Sequence, residues 1–250
     1  MLEMFKDFFS QQASHYARYR PKYPAELFTF IKEIVQKTNF VWDVATGNGQ
    51  AANELAKFFD HVYATDLSDE QLKHAIQQEN IEYKKEFAES TSLANSSVDL
   101  ITIATAIHWF DQPAFFKEAD RVLKTKGVLF AWSYGGCKVN IEVDQIIDYF
   151  NFEYLVDYWH EGAKMNWYDK YQSLILPFEP ISTPNFICKA NYNLEEVMNY
   201  MFSWSGVQNY IRLHQKNPID IIQADLEKAW GDPLSVKEIK WHLHTKCSRK

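Results

Sequence analysis

Val41-Trp42-Asp43-Val44-Ala45-Thr46-Gly47-Asn48-Gly49-Gln50 is the stretch whose reading decides the fold. An apolar run ends in small residues, and Gln50 to Phe59 then carries Ala52, Leu55, Ala56 and Phe59 at helical spacing. That order reads strand, tight turn, helix. Gly47 and Gly49 suit such a turn, because a residue without Cβ lets the backbone bend sharply and approach a ligand closely. A second strand, His61 to Ala64, leads to Asp66, where a doubly wound sheet carries the acid that accepts from the hydroxyls of a ribose. An ordinary strand-to-helix turn would share the glycines but not the acid. Together they predict an adenosine-bearing ligand at the carboxyl ends of the strands.

The 250 residues allow one large α/β domain, read as a core over 25–136 with a cap and terminal hairpin over 137–250. A formal net charge of −7 and the lack of a basic stripe argue against nucleic acid as a partner. Binding to anionic membranes is disfavoured for the same reason. The longest apolar run, Leu100 to Ile107, is broken by threonines and is short for a bilayer. Met1 to Phe9 lack the features of a signal peptide, so a cytoplasmic location is expected. Cys137, Cys188 and Cys247 are widely spaced and read as free thiols, without metal-ligand spacing, so no metal site is expected. Five of the eight tryptophans follow Cys137, which suggests an aromatic pocket in the second half.

Leu2, Phe5, Phe8 and Phe9 share a helical face at the N-terminus. Then Tyr16-Ala17-Arg18-Tyr19-Arg20-Pro21-Lys22-Tyr23-Pro24 gathers two arginines, three tyrosines and two prolines, and the prolines hold it extended. Such a cationic, aromatic segment either receives a carboxylate or forms a solvated basic turn. A helix over 25–36 follows. Beyond Asp66, Ser68 reads as an N-cap with Gln71 three residues on, which holds Leu67 beside an adenine. A third strand near Ile81 to Phe87 precedes Ala88-Glu89. Val98 to Ile107 is too apolar for an edge and is expected at the centre of the sheet. Its carboxyl end delivers His108-Trp109-Phe110-Asp111 to the ligand-binding rim, as a reaction site or as packing. Pro113 to Lys124 is an amphipathic helix with a stop at Lys126-Gly127, and Val128 to Ser133 is a fifth strand. Helices near 143–154 and 194–202 and a late strand over 237–245 complete the reading.

Asp43-x-Ala45-x-Gly47-x-Gly49 resembles motif I of the class I S-adenosylmethionine-dependent methyltransferases, with Ala45 where that family usually has glycine. The Gly47-Asn48-Gly49-Gln50-Ala51-Ala52 run also matches the dinucleotide pattern. Asp43 favours the first, since its charge would repel a pyrophosphate and attract a sulfonium. Tyr19 to Pro24, Ala106-Ile107-His108-Trp109-Phe110, Glu118 to Leu123 and Ser203-Trp204-Ser205-Gly206-Val207-Gln208 extend the resemblance to the trans-aconitate methyltransferase-like branch.

The resemblance implies a Rossmann-like, seven-stranded, mostly parallel sheet with helices on both faces and a helical cap. Five parallel strands would be joined by a terminal antiparallel hairpin near 184–192 and 236–246. It implies S-adenosyl-L-methionine as cofactor, held by Tyr19, Asp43, Ala45, Gly47, Asn48, Gly49, Asp66, Leu67, Gln71, Ala88, Glu89 and Thr105. Phe87 stands where the family often has an acid, so contact there is expected through backbone and stacking. His108, Trp109 and Arg20 are the candidates for the reaction, and Arg18 and Trp204 for the substrate. The implied activity is methyl transfer to a small molecule, as O-methylation of a carboxylate, in a monomer or weak homodimer. A non-catalytic S-adenosylmethionine-binding module and an NAD-dependent oxidoreductase are the other readings of these residues.

Overall fold

Side chains alternate through the strands, and this alternation accounts for helices on both faces of the sheet. The structure is a computed structural model, and it describes residues 19–250, the side chains of 165–167 excepted. Arg18 and the helical face of Leu2 to Phe9 lie outside the described residues. Strand β1 (Phe40–Val44) sends Val41 into one core with Leu100, Val128 and Phe130, and Trp42 into a second with Ile101, Ile103 and Leu129. Helices α1 (Ala25–Ile34) and α2 (Gln50–Leu55) cover the first core through Leu27, Ile31, Ala52 and Leu55. On the other face, α4 (Gln112–Val122) contributes Phe115, Ala119 and Val122.

Strand β2 (His61–Thr65) is followed by α3 (Asp69–Lys73), β3 (Ile81–Lys84), β4 (Val98–Ala104) and β5 (Leu123–Tyr134). The order β3-β2-β1-β4-β5 is parallel throughout, and the chain crosses from one side of β1 to the other between β3 and β4. That switch point is where open α/β sheets bind ligands. Every residue of β4 but Ala104 is buried, as its apolar run predicts for a central strand.

After β5 come α5 (Ile141–Tyr149), α6 (Glu161–Trp167), β6 (Glu179–Ile181), β7 (Ile187–Tyr192), α7 (Leu194–Phe202), α8 (Ser205–His214), α9 (Gln223–Trp230) and β8 (Lys237–Arg249). The sheet has eight strands where seven were expected. The expected hairpin partner of β8 is split in two: β7 pairs with residues 237–242 of β8, and β6 with 247–249. A 13-residue strand is longer than the six-residue β7 can cover, so a second short segment closes the remaining edge.

Lys126-Gly127 is not a helix stop. Helix α4 ends at Val122, and the chain enters β5 at once, with Lys126 at φ 69° in an irregular stretch of that strand. A Cβ on Gly127 would lie 2.8 Å from the Lys124 carbonyl, so the glycine serves this bend. Among the described residues no helix is long and apolar enough to cross a membrane. The three cysteines are free and buried.

Candidate active site

The turn after β1 uses the left-handed backbone three times, at Ala45 (φ 51°), Gly47 (φ 59°) and Gly49 (φ 79°). A Cβ on Gly49 would meet the Tyr83 hydroxyl at 2.3 Å, whereas one on Gly47 would find only Gln71 Oε1 at 3.8 Å. The turn is thus closed behind Gly49 and open over Gly47. Ala45 adopts a conformation in which its methyl group is strained, by about 1 kcal/mol. Thr46 donates its backbone N–H to the Thr65 carbonyl and so ties the turn to the end of β2.

Asp43 is fully buried beneath this turn. It accepts from the Thr46 hydroxyl at 2.6 Å and the Thr102 hydroxyl at 2.7 Å, and also from the backbone of Ala52. Burial pushes its carboxyl up to about 6 in spite of those bonds. The reading of Asp43 as a charge facing the ligand therefore needs correction: its oxygens are taken up by β4, α2 and the turn, and its part is to fix their shape.

Asp66 stands just beyond β2 and spans the cleft. One carboxylate oxygen accepts from the Gly47 N–H at 2.8 Å and the other from the Ser68 N–H at 2.8 Å. Burial raises its pKa, and the N–H groups of Ser68, Gly47 and Leu67 oppose the rise. Ser68 caps α3 by accepting from the Gln71 N–H, which fixes Leu67 and Gln71 beside the turn. Asn48 accepts at its carbonyl from the Ile76 N–H. Turn, acid and capped helix thus meet at one place.

A second group of residues lies at the ends of β4 and β5. Thr105 is left-handed (φ 57°), donates its N–H to the Trp132 carbonyl at 2.7 Å, and has a buried hydroxyl with no protein partner. His108 and Trp109 follow in a single helical turn, with ring centroids 5.0 Å apart, and the His160 ring lies 4.8 Å from Trp109. The nitrogen Nδ1 of His108 is 3.4 Å from the Tyr171 hydroxyl. Burial, and then His160, lower the His108 pKa to about 3, so the ring is neutral at physiological pH. Glu89 accepts the Asp111 N–H at 2.9 Å and holds the entry to α4, while Ala88 is buried and Phe87 exposed.

Arg20 belongs to a third group. Its guanidinium donates to the Tyr134 hydroxyl at 3.2 Å and the Ser203 carbonyl at 3.1 Å, and lies over the rings of Tyr134 and Tyr200. Gln50 holds the Pro21 carbonyl, Tyr192 donates to the Tyr19 carbonyl, and Tyr23 packs against Trp132. These contacts fix the 19–24 segment next to the glycine turn. Trp204 is fully buried against Tyr200, Trp159 and Phe150. Tyr134, Tyr200, Trp241, His160 and Tyr171 were not assigned to the site from the sequence. Tyr134 ends a strand that the sequence reading stopped at Ser133, and only the tertiary fold brings the others in.

A doubly wound sheet with a left-handed glycine turn and an acid at the end of β2 defines a nucleoside-binding α/β enzyme. The profile of a methyltransferase domain family matches residues 42–131. A Dictyostelium discoideum protein named as a methyltransferase is 31% identical over 229 residues, covering 90% of this chain and 87% of its own. A Saccharomyces cerevisiae protein named as an S-adenosylmethionine-dependent methyltransferase is 23% identical, covering 96% of each. A solved structure from Anaeromyxobacter dehalogenans, named a type II methyltransferase, superposes with a TM-score of 0.84 at 30% identity, covering 92% of this chain and 98% of that one. The chain belongs to the class I S-adenosylmethionine-dependent methyltransferases, and S-adenosylmethionine is its cofactor. The open space over Gly47 and the acid facing it suit the adenosine part of that molecule, and the oxidoreductase and non-catalytic readings fall away.

Proposed function

We propose that the chain methylates a small-molecule carboxylate on oxygen, as some enzymes of the trans-aconitate methyltransferase-like branch that it resembles do. The observation that carries this reading is the set of donors around Arg20. Tyr200 and Trp241 are fully buried, yet neither the Tyr200 hydroxyl nor the Trp241 indole N–H reaches an acceptor within hydrogen-bonding distance. Burial pushes the Tyr200 hydroxyl up, and the Arg20 charge, followed by the Trp241 and Trp204 indoles, opposes the rise. Buried donors without acceptors are uncommon, and a cation among them makes the surroundings suited to an anionic oxygen.

When bound, S-adenosylmethionine supplies a methyl group already activated by its sulfonium. Gly47, Asn48, Gly49, Asp66, Leu67, Gln71 and Ala88 are the residues that would hold its adenosine, with Glu89 shaping the same edge. Arg20 and the Tyr200 and Trp241 donors orient the acid, and Trp109 offers an aromatic face at the rim. A carboxylate needs no base, since it is ionised above about pH 5. His108, with a pKa near 3, is poorly matched to removing a proton at neutral pH, which supports the same reading.

A second reading keeps the activity but assigns Arg20 to the carboxylate of the cofactor, because Gln50 ties the Arg20 segment to the glycine turn. Calorimetry with S-adenosylmethionine, alongside initial rates on a panel of organic acids, separates the two in Arg20→Ala. The first reading expects cofactor affinity within threefold of wild type and a large loss in kcat/KM for the acid. A cofactor affinity that falls tenfold or more would move Arg20 to the cofactor.

A further inference from the structure

We propose that Tyr171 locks His108 as its Nε2–H tautomer, so that the ring serves as a fixed hydrogen-bond donor and not as a proton acceptor. Tyr171 is fully buried although it lies in an irregular segment between α6 and β6. It and Lys170 adopt left-handed backbone in succession, at φ 61° and 54°, a costly arrangement for residues with side chains. The strain is held by packing: the Tyr171 ring sits in the second core with Leu174, and its hydroxyl ends 3.4 Å from His108 Nδ1.

The direction of that contact follows from counting protons. Tyr171 is fully buried, and among the described residues His108 Nδ1 is the acceptor within hydrogen-bonding distance of its hydroxyl; the buried Ser133 hydroxyl reaches no partner. If Tyr171 donates to Nδ1, its proton has an acceptor. If Nδ1 carries the proton and donates to Tyr171, the Tyr171 proton is left with none. Folded proteins avoid such orphaned buried donors. With Nδ1 accepting and the ring neutral, the proton resides on Nε2.

The ring is held from other sides as well. Trp109 packs against it, and α6 presses on its backbone so closely that a Cβ on Gly162 would meet the His108 carbonyl at 2.2 Å. His108 is therefore oriented before any acceptor arrives, and its Nε2–H is a donor suited to an acid's oxygen. That consequence rests on the carboxylate reading above; the tautomer itself does not.

The test is nuclear magnetic resonance of the full chain labelled with ¹⁵N at histidine, with His108 assigned by its loss in His108→Asn. Wild type is expected to show a protonated Nε2 and an unprotonated Nδ1 at pH 7. Tyr171→Phe keeps the ring but removes the hydroxyl, and should give a mixture of the two tautomers, with kcat/KM for an acid falling about five- to tenfold and cofactor affinity within twofold. Should Tyr171→Phe fail to fold, the wild-type histidine resonances decide alone. A proton on Nδ1 in wild type, or a tautomer unmoved in Tyr171→Phe, would overturn the proposal. Methylation of something other than a carboxylate would leave the resonance result standing and would count against the function alone.

Discussion

The glycine turn and the aromatic cluster around Arg20 lie side by side but are built by opposite means. At the turn, short polar bonds set the shape: Asp43 to Thr46 and Thr102, Asp66 to Gly47 and Ser68, and Thr46 to Thr65. Around Arg20 the walls are rings in edge-to-face contact, with Tyr200 set between Trp204 and Trp241 at 5.7 Å and 5.2 Å. Polar groups at the turn find partners within the chain, whereas the Tyr200 hydroxyl and the Trp241 indole N–H reach none within hydrogen-bonding distance. One site is specified by hydrogen bonds between neighbours in the fold, the other by volume and packing. Substitutions should therefore fail differently on the two sides.

The largest effect is expected at Trp204. Truncation to alanine empties a fully buried site between Phe150, Trp159 and Tyr200, and should lower unfolding free energy by about 3–5 kcal/mol, read from urea denaturation. Cofactor affinity, measured well below the new midpoint, should change little. A loss of cofactor affinity as large as the loss of stability would erase the division between the two sides. Arg20→Ala comes next, at about 2–5 kcal/mol in kcat/KM for the acid. Asp66→Ala should act in reverse, weakening S-adenosylmethionine by about 1.5–3 kcal/mol in calorimetry and leaving the acid's KM nearly unchanged.

Ala45→Gly sharpens the contrast by a smaller amount. Relief of left-handed strain at φ 51° exceeds the added entropy of the unfolded chain, so stability should rise by about 0.5–1 kcal/mol, with cofactor affinity kept or improved. A tenfold fall in affinity would mean that the alanine methyl itself contacts the cofactor. The pH dependence of folding gives the last comparison. The pKa values of His108 and His244 are lowered to about 3 and 4, chiefly by burial, so below pH 6.5 the unfolded chain binds protons that the native one refuses, and stability falls. Asp43, raised to about 6, works the other way between pH 6 and 4, since the native state then holds a proton the unfolded state releases. Asp66, also raised by burial, acts in the same sense as Asp43. The histidines begin to cost stability already near pH 6.5, above the range where the aspartates gain protons, so denaturation midpoints should drop from pH 7 to pH 5, and His108→Asn should lessen the drop.

The turn was legible because its signals are local. Gly47, Gly49 and Asp66 are separated by short stretches of chain whose strand and helix periods can be read directly, and the central place of β4 followed from its apolar run. What Asp43 does was not legible, because Thr102, its second partner, lies 59 residues away on another strand. The contacts of Arg20 show the same limit more strongly: Arg20 is 114 residues from Tyr134 and 183 from Ser203. Ser-Trp-Ser at 203–205 was visible as a motif, but Tyr200, three residues before it, meets Trp241 only when α7 packs on β8. Tyr171 gave no signal, since its left-handed backbone occurs without a glycine.

The central claim is that the acceptor is a carboxylate held by Arg20, and the kind of bond formed tests it most directly. The purified chain, given S-adenosylmethionine labelled in its methyl group and a panel of small organic acids, should transfer label to product that mild base releases as volatile methanol. Methyl esters hydrolyse under those conditions, whereas methyl ethers and N-methyl groups do not. The account predicts base-labile label, formed at a rate nearly flat from about pH 6 to 8.5 and nearly abolished in Arg20→Ala. Base-stable label, with a rate that climbs with pH and survives the loss of Arg20, would contradict it.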